Sequence, residues 1–199
     1  MNRYLALIVL SSIWLLDLAT AQSLHAAETL DVVLDRRTNT TVSEIYFVAF
    51  CSTGVKSFSP GHAFVLRGSI PKGAVGPKRV VDAWGFWPRT EDEAATIFSM
   101  VSGRLKEEYT KANVPKGDCR LMVLVDEGGE IDKRITALRD SWRKSSDDYN
   151  VYRQNCIDYT DAIAAALDLN RPSRSGAQLP AAYIRELARN HKSQSVVLP

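Results

Sequence analysis

The chain is predicted to be an α+β protein, and three observations predict it. Short β-branched and aromatic runs gather between residues 45 and 87, helical apolar periodicities prevail after them, and the early runs are joined by short connections. Short connections favour neighbouring antiparallel strands, and strand runs interspersed with helices fit an antiparallel sheet packed on helices. With 199 residues, 45% hydrophobic and 24% charged, the chain is long enough to bury a core in one domain.

The first segment, Met-Asn-Arg followed by the apolar run Tyr4 to Leu16, has the charged head and short apolar stretch of a secretory signal over residues 1–21. Ala19-Thr-Ala21 supplies a small-x-small cleavage pattern before Gln22, with His25-Ala-Ala27 as a second. Export follows as the expectation, to the periplasm or outside the cell, with no stable membrane anchor after cleavage. Residues 22–44 read as an N-terminal arm, in which Leu30-Asp-Val-Val-Leu34 is either mobile or an edge strand. Asn39-Thr-Thr41 is a glycosylation sequon only in a eukaryotic host.

Ile45 to Cys51 is predicted as a strand, bounded by Ser-Thr-Gly. Ser59-Pro-Gly61 punctuates before a second strand at His62-Ala-Phe-Val-Leu66, and Arg79 to Trp87 makes a third, stopped by Pro88. Thr90-Glu-Asp-Glu93 has the form of a capping box and predicts a helix to about Tyr109, with Ala94, Ile97, Phe98, Val101 and Leu105 on its buried face. Asp118 to Val125 is a fourth strand, ended by Gly128-Gly129. An amphipathic helix is predicted over Glu130 to Lys144 with Ile131, Ile135, Leu138 and Trp142 inward. Another helix starts at Cys156, and the last starts at Pro180, with proline in its first turn. The domain is placed at residues 45–190 and a polar tail at 191–199, where His191 reads as solvated.

The net charge of +2 survives loss of residues 1–21, which removes Arg3 and Asp17 together. Lys72, Lys78 and Arg79 read as a solvated face, so nucleic acid is not an expected partner. The dispersed histidines give no metal-ligand spacing, and neither metal nor cofactor is expected. Three cysteines are an odd number for an exported chain. Cys51 and Cys119 lie in strand-like runs, and pairing them leaves Cys156 free, although the sequence does not establish that pairing.

Cys156 stands at a helix start behind Asn155. A thiol there feels the positive end of the helix dipole, which favours thiolate; equally, Asn155 is an ordinary cap and Cys156 a small buried residue. A thiol nucleophile needs a base. His62, at the first position of a strand after Pro60-Gly61, is the candidate, and its other reading is a residue that simply begins a strand.

Gly61-His-Ala-Phe-Val65, then Ala83-Trp-Gly-Phe-Trp-Pro88, then Tyr149-Asn-Val-Tyr-Arg-Gln-Asn-Cys-Ile-Asp-Tyr159 resemble the circularly permuted branch of the papain-like NlpC/P60 superfamily. The likeness spans approximately Tyr46 to Leu169. It implies a permuted papain-like fold in which the histidine strand precedes the cysteine helix, with Cys156 as nucleophile and His62 as base. The third polar residue comes from the following strand, where Asp82 is the acidic candidate, although Asp82 reads equally as a solvent-facing strand residue. The Cys156 backbone N–H would meet the oxyanion, helped by the Gln154 or Asn155 side chain. Trp84 is the candidate cleft wall, its other reading being a residue that packs the sheet; it and Trp87 point opposite ways on one strand, so at most one lines a cleft. The implied activity is that of an exported thiol hydrolase, a peptidase or amidase acting on a peptide or peptidoglycan-like amide. The competing expectation is a non-catalytic secreted binding, inhibitor or immunity-type protein. A bridge from Cys156 to Cys51 or Cys119 would favour that second reading.

Overall fold

The computed structural model describes residues 30–55, 59–72, 79–110, 117–144, 148–174 and 178–197. The signal segment, both cleavage patterns, His25 and Lys78 lie outside these residues.

The strands are β1 (Val32–Asp35), β2 (Glu44–Thr53), β3 (His62–Pro71), β4 (Arg79–Pro88), β5 (Val101–Glu107), β6 (Asp118–Val125) and β7 (Asp148–Tyr149). The helices are α1 (Glu93–Phe98), α2 (Glu130–Lys144), α3 (Cys156–Ala166) and α4 (Pro180–Arg189). All seven strands join one mixed sheet in the order β1-β6-β2-β3-β4-β5-β7. Among the described residues only the β1–β6 pairing is parallel; the other pairings are antiparallel. The three strands expected to be neighbours, β2, β3 and β4, sit side by side. The α+β class therefore holds.

Helices α2, α3 and α4 pack on one face of the sheet. Ala63, Val65, Trp84, Phe86, Leu121 and Val123 meet Ile157, Ile163, Tyr183, Ile184 and Leu187 there. Phe47, Ala49, Cys51, Phe64, Leu66, Ala83 and Cys119 form a second apolar cluster from the alternate strand positions. Successive strand side chains point to opposite faces, so β2, buried from Phe47 to Ser52, contributes to both. Cys51 and Cys119 face each other across β2 and β6 and are bridged, with Cα atoms 3.9 Å apart.

The long helix expected from Thr90 to Tyr109 is not formed. Asp92, rather than Thr90, caps α1 by accepting from the Ala95 N–H at 3.2 Å; the helix ends at Phe98, and Val101–Glu107 pairs with β4. The i, i+3, i+4 spacing that suggested one helix also fits a short helix and then a strand read every second residue. Ser99, Ser102 and Gly103 weaken the helix, and β4 supplies a ladder that a helix could not use. Phe98, expected inward, is 86% exposed.

Part of the arm is ordered as β1, an edge strand. The stretch read as a polar tail is also tied down. Its His191 is buried and its Nε2 accepts from the Asn170 N–H at 3.0 Å, while the Val196 N–H donates to the Val33 carbonyl at 2.8 Å. Among the described residues no helix is long and apolar enough to cross a membrane. The disulfide is compatible with an exported protein.

Candidate active site

Cys156 is the first residue of α3, and the sequence around it explains why the helix starts there. The Asn155 backbone is extended, its Oδ1 accepts from the Ile157 N–H at 2.8 Å, and Asp158 Oδ2 accepts from the Asn155 N–H at 2.7 Å. This reciprocal capping box fixes the helix start. Asn155 Nδ2 is also committed, donating to the Val151 carbonyl. The Asn155 side-chain oxygen and one of its two amide N–H groups are thus engaged at the helix start. The Gln154 side chain makes no hydrogen bond among the described residues, and the Cys156 N–H, an orphan donor of the first turn, takes none either.

The apolar side of α3 buries Ile157, Ile163 and Ala164 against the sheet, which carries Cys156 to the start of β3. The β3–β4 ladder begins only at Val65 and Trp84, so the Ala63 N–H lies beyond it. That N–H donates to Cys156 Sγ at 3.4 Å. The thiol is thus held at the level of the β3 backbone beside His62. Cys156 is free of any disulfide and buried.

His62 is positioned by Gly61, whose φ of +87° belongs to the left-handed region, and a Cβ there would meet the Thr53 carbonyl oxygen at 2.5 Å. Only glycine makes this entry into β3. The His62 ring stacks on Trp87 with centroids 3.9 Å apart, and its Nε2 shares a 2.7 Å hydrogen bond with Glu108 Oε1. Trp87 Nε1 donates to the same carboxylate oxygen at 3.0 Å. The other ring nitrogen, Nδ1, is not taken up by Glu108, and Cys156, held by the Ala63 N–H, is near enough for its charge to act on the ring. Burial works against a charged ring, but the Cys156 thiolate and the Glu108 carboxylate outweigh it and carry the His62 pKa up to about 9.

The orienting carboxylate was expected at Asp82, and the structure places Glu108 there instead. Asp82 lies opposite Arg67 in the β3–β4 register and holds the guanidinium groups of Arg67 and Arg139, the latter at 3.3 Å. Arg67 continues to Asp132 at 3.2 Å and Thr136 at 3.1 Å, so this network fastens α2 to the sheet. The physical reason is strand alternation: Asp82 is three residues from Gly85, on the opposite face from the one that meets His62. Glu108 was missed because its segment was read as helix. Reading Val101–Leu105 with period two would have placed Glu108 just past the end of that strand, on the face that carries Trp87.

Trp84, the expected cleft wall, is likewise corrected. It is buried in the helix-side cluster under Arg139 and Arg143, whose guanidinium carbons lie 5.5 and 5.8 Å from its ring. Trp87, on the other face, flanks the histidine. The last part of the frame is Gly85. A Cβ there would fall 2.0 Å from Glu108 Oε1 and 2.2 Å from His62 Nε2, so the absence of a side chain is what lets those two groups meet over β4. Gly85→Ala is expected to separate them, lowering any Cys156-dependent activity by about 100-fold and stability by roughly 1–3 kcal/mol. An alanine variant with wild-type rate and melting temperature would contradict this geometry.

No known family model, no curated protein and no solved structure matches the chain.

Proposed function

We propose that the protein is an exported cysteine hydrolase that cleaves an amide of a peptide or peptidoglycan-type substrate through a thioester, on a permuted papain-like scaffold of the NlpC/P60 kind. The observation that carries the reading is the convergence of Cys156, at a helix N-terminus and held by the Ala63 N–H, on the hydrogen-bonded His62–Glu108 pair, with the histidine strand before the cysteine helix. That order is the one implied by the sequence motifs.

In this reading the Cys156 thiolate attacks the carbonyl carbon, and the resulting oxyanion is met by the Cys156 N–H, with the unengaged Gln154 amide close at hand in sequence. His62, held as imidazolium, gives its proton to the departing amine as the C–N bond breaks, leaving an S-acyl enzyme. Water then attacks the thioester carbonyl while His62 takes its proton. The C–S bond breaks, the acid is released and the thiolate–imidazolium pair is restored. Glu108 fixes the ring through Nε2 and stabilises its charge, and the Trp87 N–H keeps Glu108 in place. The free state of Cys156 supports this over the binding-protein alternative, since the bridge is made by the other two cysteines.

The test is a pH–rate profile for hydrolysis. His62 must keep its proton, so the profile is expected to fall on its alkaline side near pH 9, where the raised pKa lies. Glu108→Gln removes a charge that raises that pKa and should move the alkaline limb to lower pH and cut the rate about 10- to 100-fold. Asp82→Asn should leave the limb where it is, because its effect is confined to the Arg67–Arg139 network. A limb that moved with Asp82 and not with Glu108 would reverse the assignment.

A further inference from the structure

The face of the sheet that carries His62 continues outward as a charged ledge. In the β4–β5 register Gly85 lies opposite Lys106, and Trp87 lies opposite Arg104. Directly opposed residues share a face. The Gly85 face is the one on which the His62–Glu108 pair lies, so Lys106 and Arg104 project beside that pair. The Lys106 ammonium is 5.8 Å from the centre of the Trp87 ring, and that ring is in turn stacked on His62 at 3.9 Å. Both cations are exposed, and neither forms an ion pair among the described residues. The carboxylate nearest in sequence that shares this face, Glu108, is already committed to His62 and Trp87. Glu107 alternates to the opposite side of the strand. Two unneutralised cations therefore stand next to the reacting groups.

We propose that Lys106 and Arg104 form an anion-binding ledge, and that the acyl group accepted by Cys156 carries a carboxylate or comparable anion close to the scissile carbonyl. This rests on the hydrolase reading, because it names the substrate class of that same site. The ledge acts before chemistry: it raises the local concentration of anionic substrate and fixes which side of the carbonyl faces the thiol. A neutral substrate gains nothing from it.

Two alkylating reagents of nearly the same size separate the proposal from the reading beneath it. Iodoacetamide is neutral and iodoacetate carries a carboxylate; each forms a carbon–sulfur bond at Cys156 and releases iodide. Their rates are compared on the full chain, with Cys156→Ala as the blank and mass spectrometry locating the label. The wild-type ratio of iodoacetate to iodoacetamide rates is expected to exceed that of the Lys106→Met, Arg104→Met double variant by about three- to tenfold at low ionic strength, and the excess should largely vanish at about 0.5 M salt. Methionine keeps an apolar stem over Trp87, and an unchanged iodoacetamide rate in the double variant shows that the thiol itself is intact. Equal ratios in both proteins, with iodoacetamide still reactive, overturn the ledge and leave the hydrolase reading standing. If neither reagent labels Cys156 in the wild type, the reactive-thiol reading falls and the ledge falls with it.

Discussion

Replacing Cys156 by alanine is expected to abolish hydrolysis, a loss on the order of 10⁴-fold or more, while the fold remains. His62→Ala should fall within about tenfold of it, because residues that act as a unit lose nearly the whole effect when either is removed. The structural grounds are local. The thiol is held by the Ala63 N–H at 3.4 Å, and the ring is held by Glu108 at 2.7 Å and by the face of Trp87. Without Cys156 there is no nucleophile to form the acyl intermediate. Without His62 the departing amine has no proton donor. Cys156 is a small residue in a helix cap whose hydrogen bonds run through Asn155 and Asp158, so alanine leaves the cap intact. The measurement is product formation from a peptide or peptidoglycan-derived amide, with circular dichroism as the control for folding. If both variants retain wild-type rates, the enzyme reading is lost and a binding role replaces it.

Removing the Cys51–Cys119 bridge by a double alanine substitution should lower stability by about 4 kcal/mol. The bridge closes a loop of sequence separation 68, and the chain-entropy cost returned to the unfolded state grows with the logarithm of loop length. Both cysteines are almost fully buried, at 0% and 3% exposure, in the cluster that lies across the sheet from α3. The loss should appear as a lower denaturant midpoint, and because Phe64, opposite Cys51 in the register, shares the face of β3 that carries His62, a smaller fall in the rate of Cys156 alkylation should accompany it. Unchanged midpoints for the double variant and for the reduced protein would mean that the bridge does not form in solution.

Much of the frame was legible residue by residue. The runs at Ile45–Cys51, Arg79–Trp87 and Asp118–Val125 are strands because β-branched and aromatic residues suit a pleated, buried surface, and glycine or proline bounds them. The period of Ile131, Ile135, Leu138 and Trp142 gives α2 with the expected limits. Cysteine parity pointed to the bridge that forms. Asn155 before Cys156, and Pro60-Gly61 before His62, marked the two chain entries on which the candidate site is built. These are local signals, carried by neighbours in sequence.

What the sequence could not decide is what comes from across the sheet. Val101 to Glu107 satisfies helical spacing almost as well as strand spacing, and only its pairing with β4 selects the strand, because the edge of β4 offers backbone partners that a helix would leave unused. With that segment read as helix, Glu108 had no place beside the histidine. Asp82 took its role as the acidic residue on the strand after His62, where the resemblance places the third member, and the alternation of side chains along β4 put Asp82 under α2 and Trp87 on the ring. His191 reads by residue type as a solvated ring, whereas the structure buries it, and of the two readings of Asn155, cap and oxyanion helper, the structure shows the cap. Sequence by itself determined the α+β class and the Cys156–His62 candidates, because helix caps, turns and strand periods act over a few residues, whereas the Cys51–Cys119 bridge needed β2 and β6 set side by side. The tertiary structure alone decided the third member, the aromatic neighbour and the charged ledge, because each depends on strand register, and register is set by partners far away in the chain.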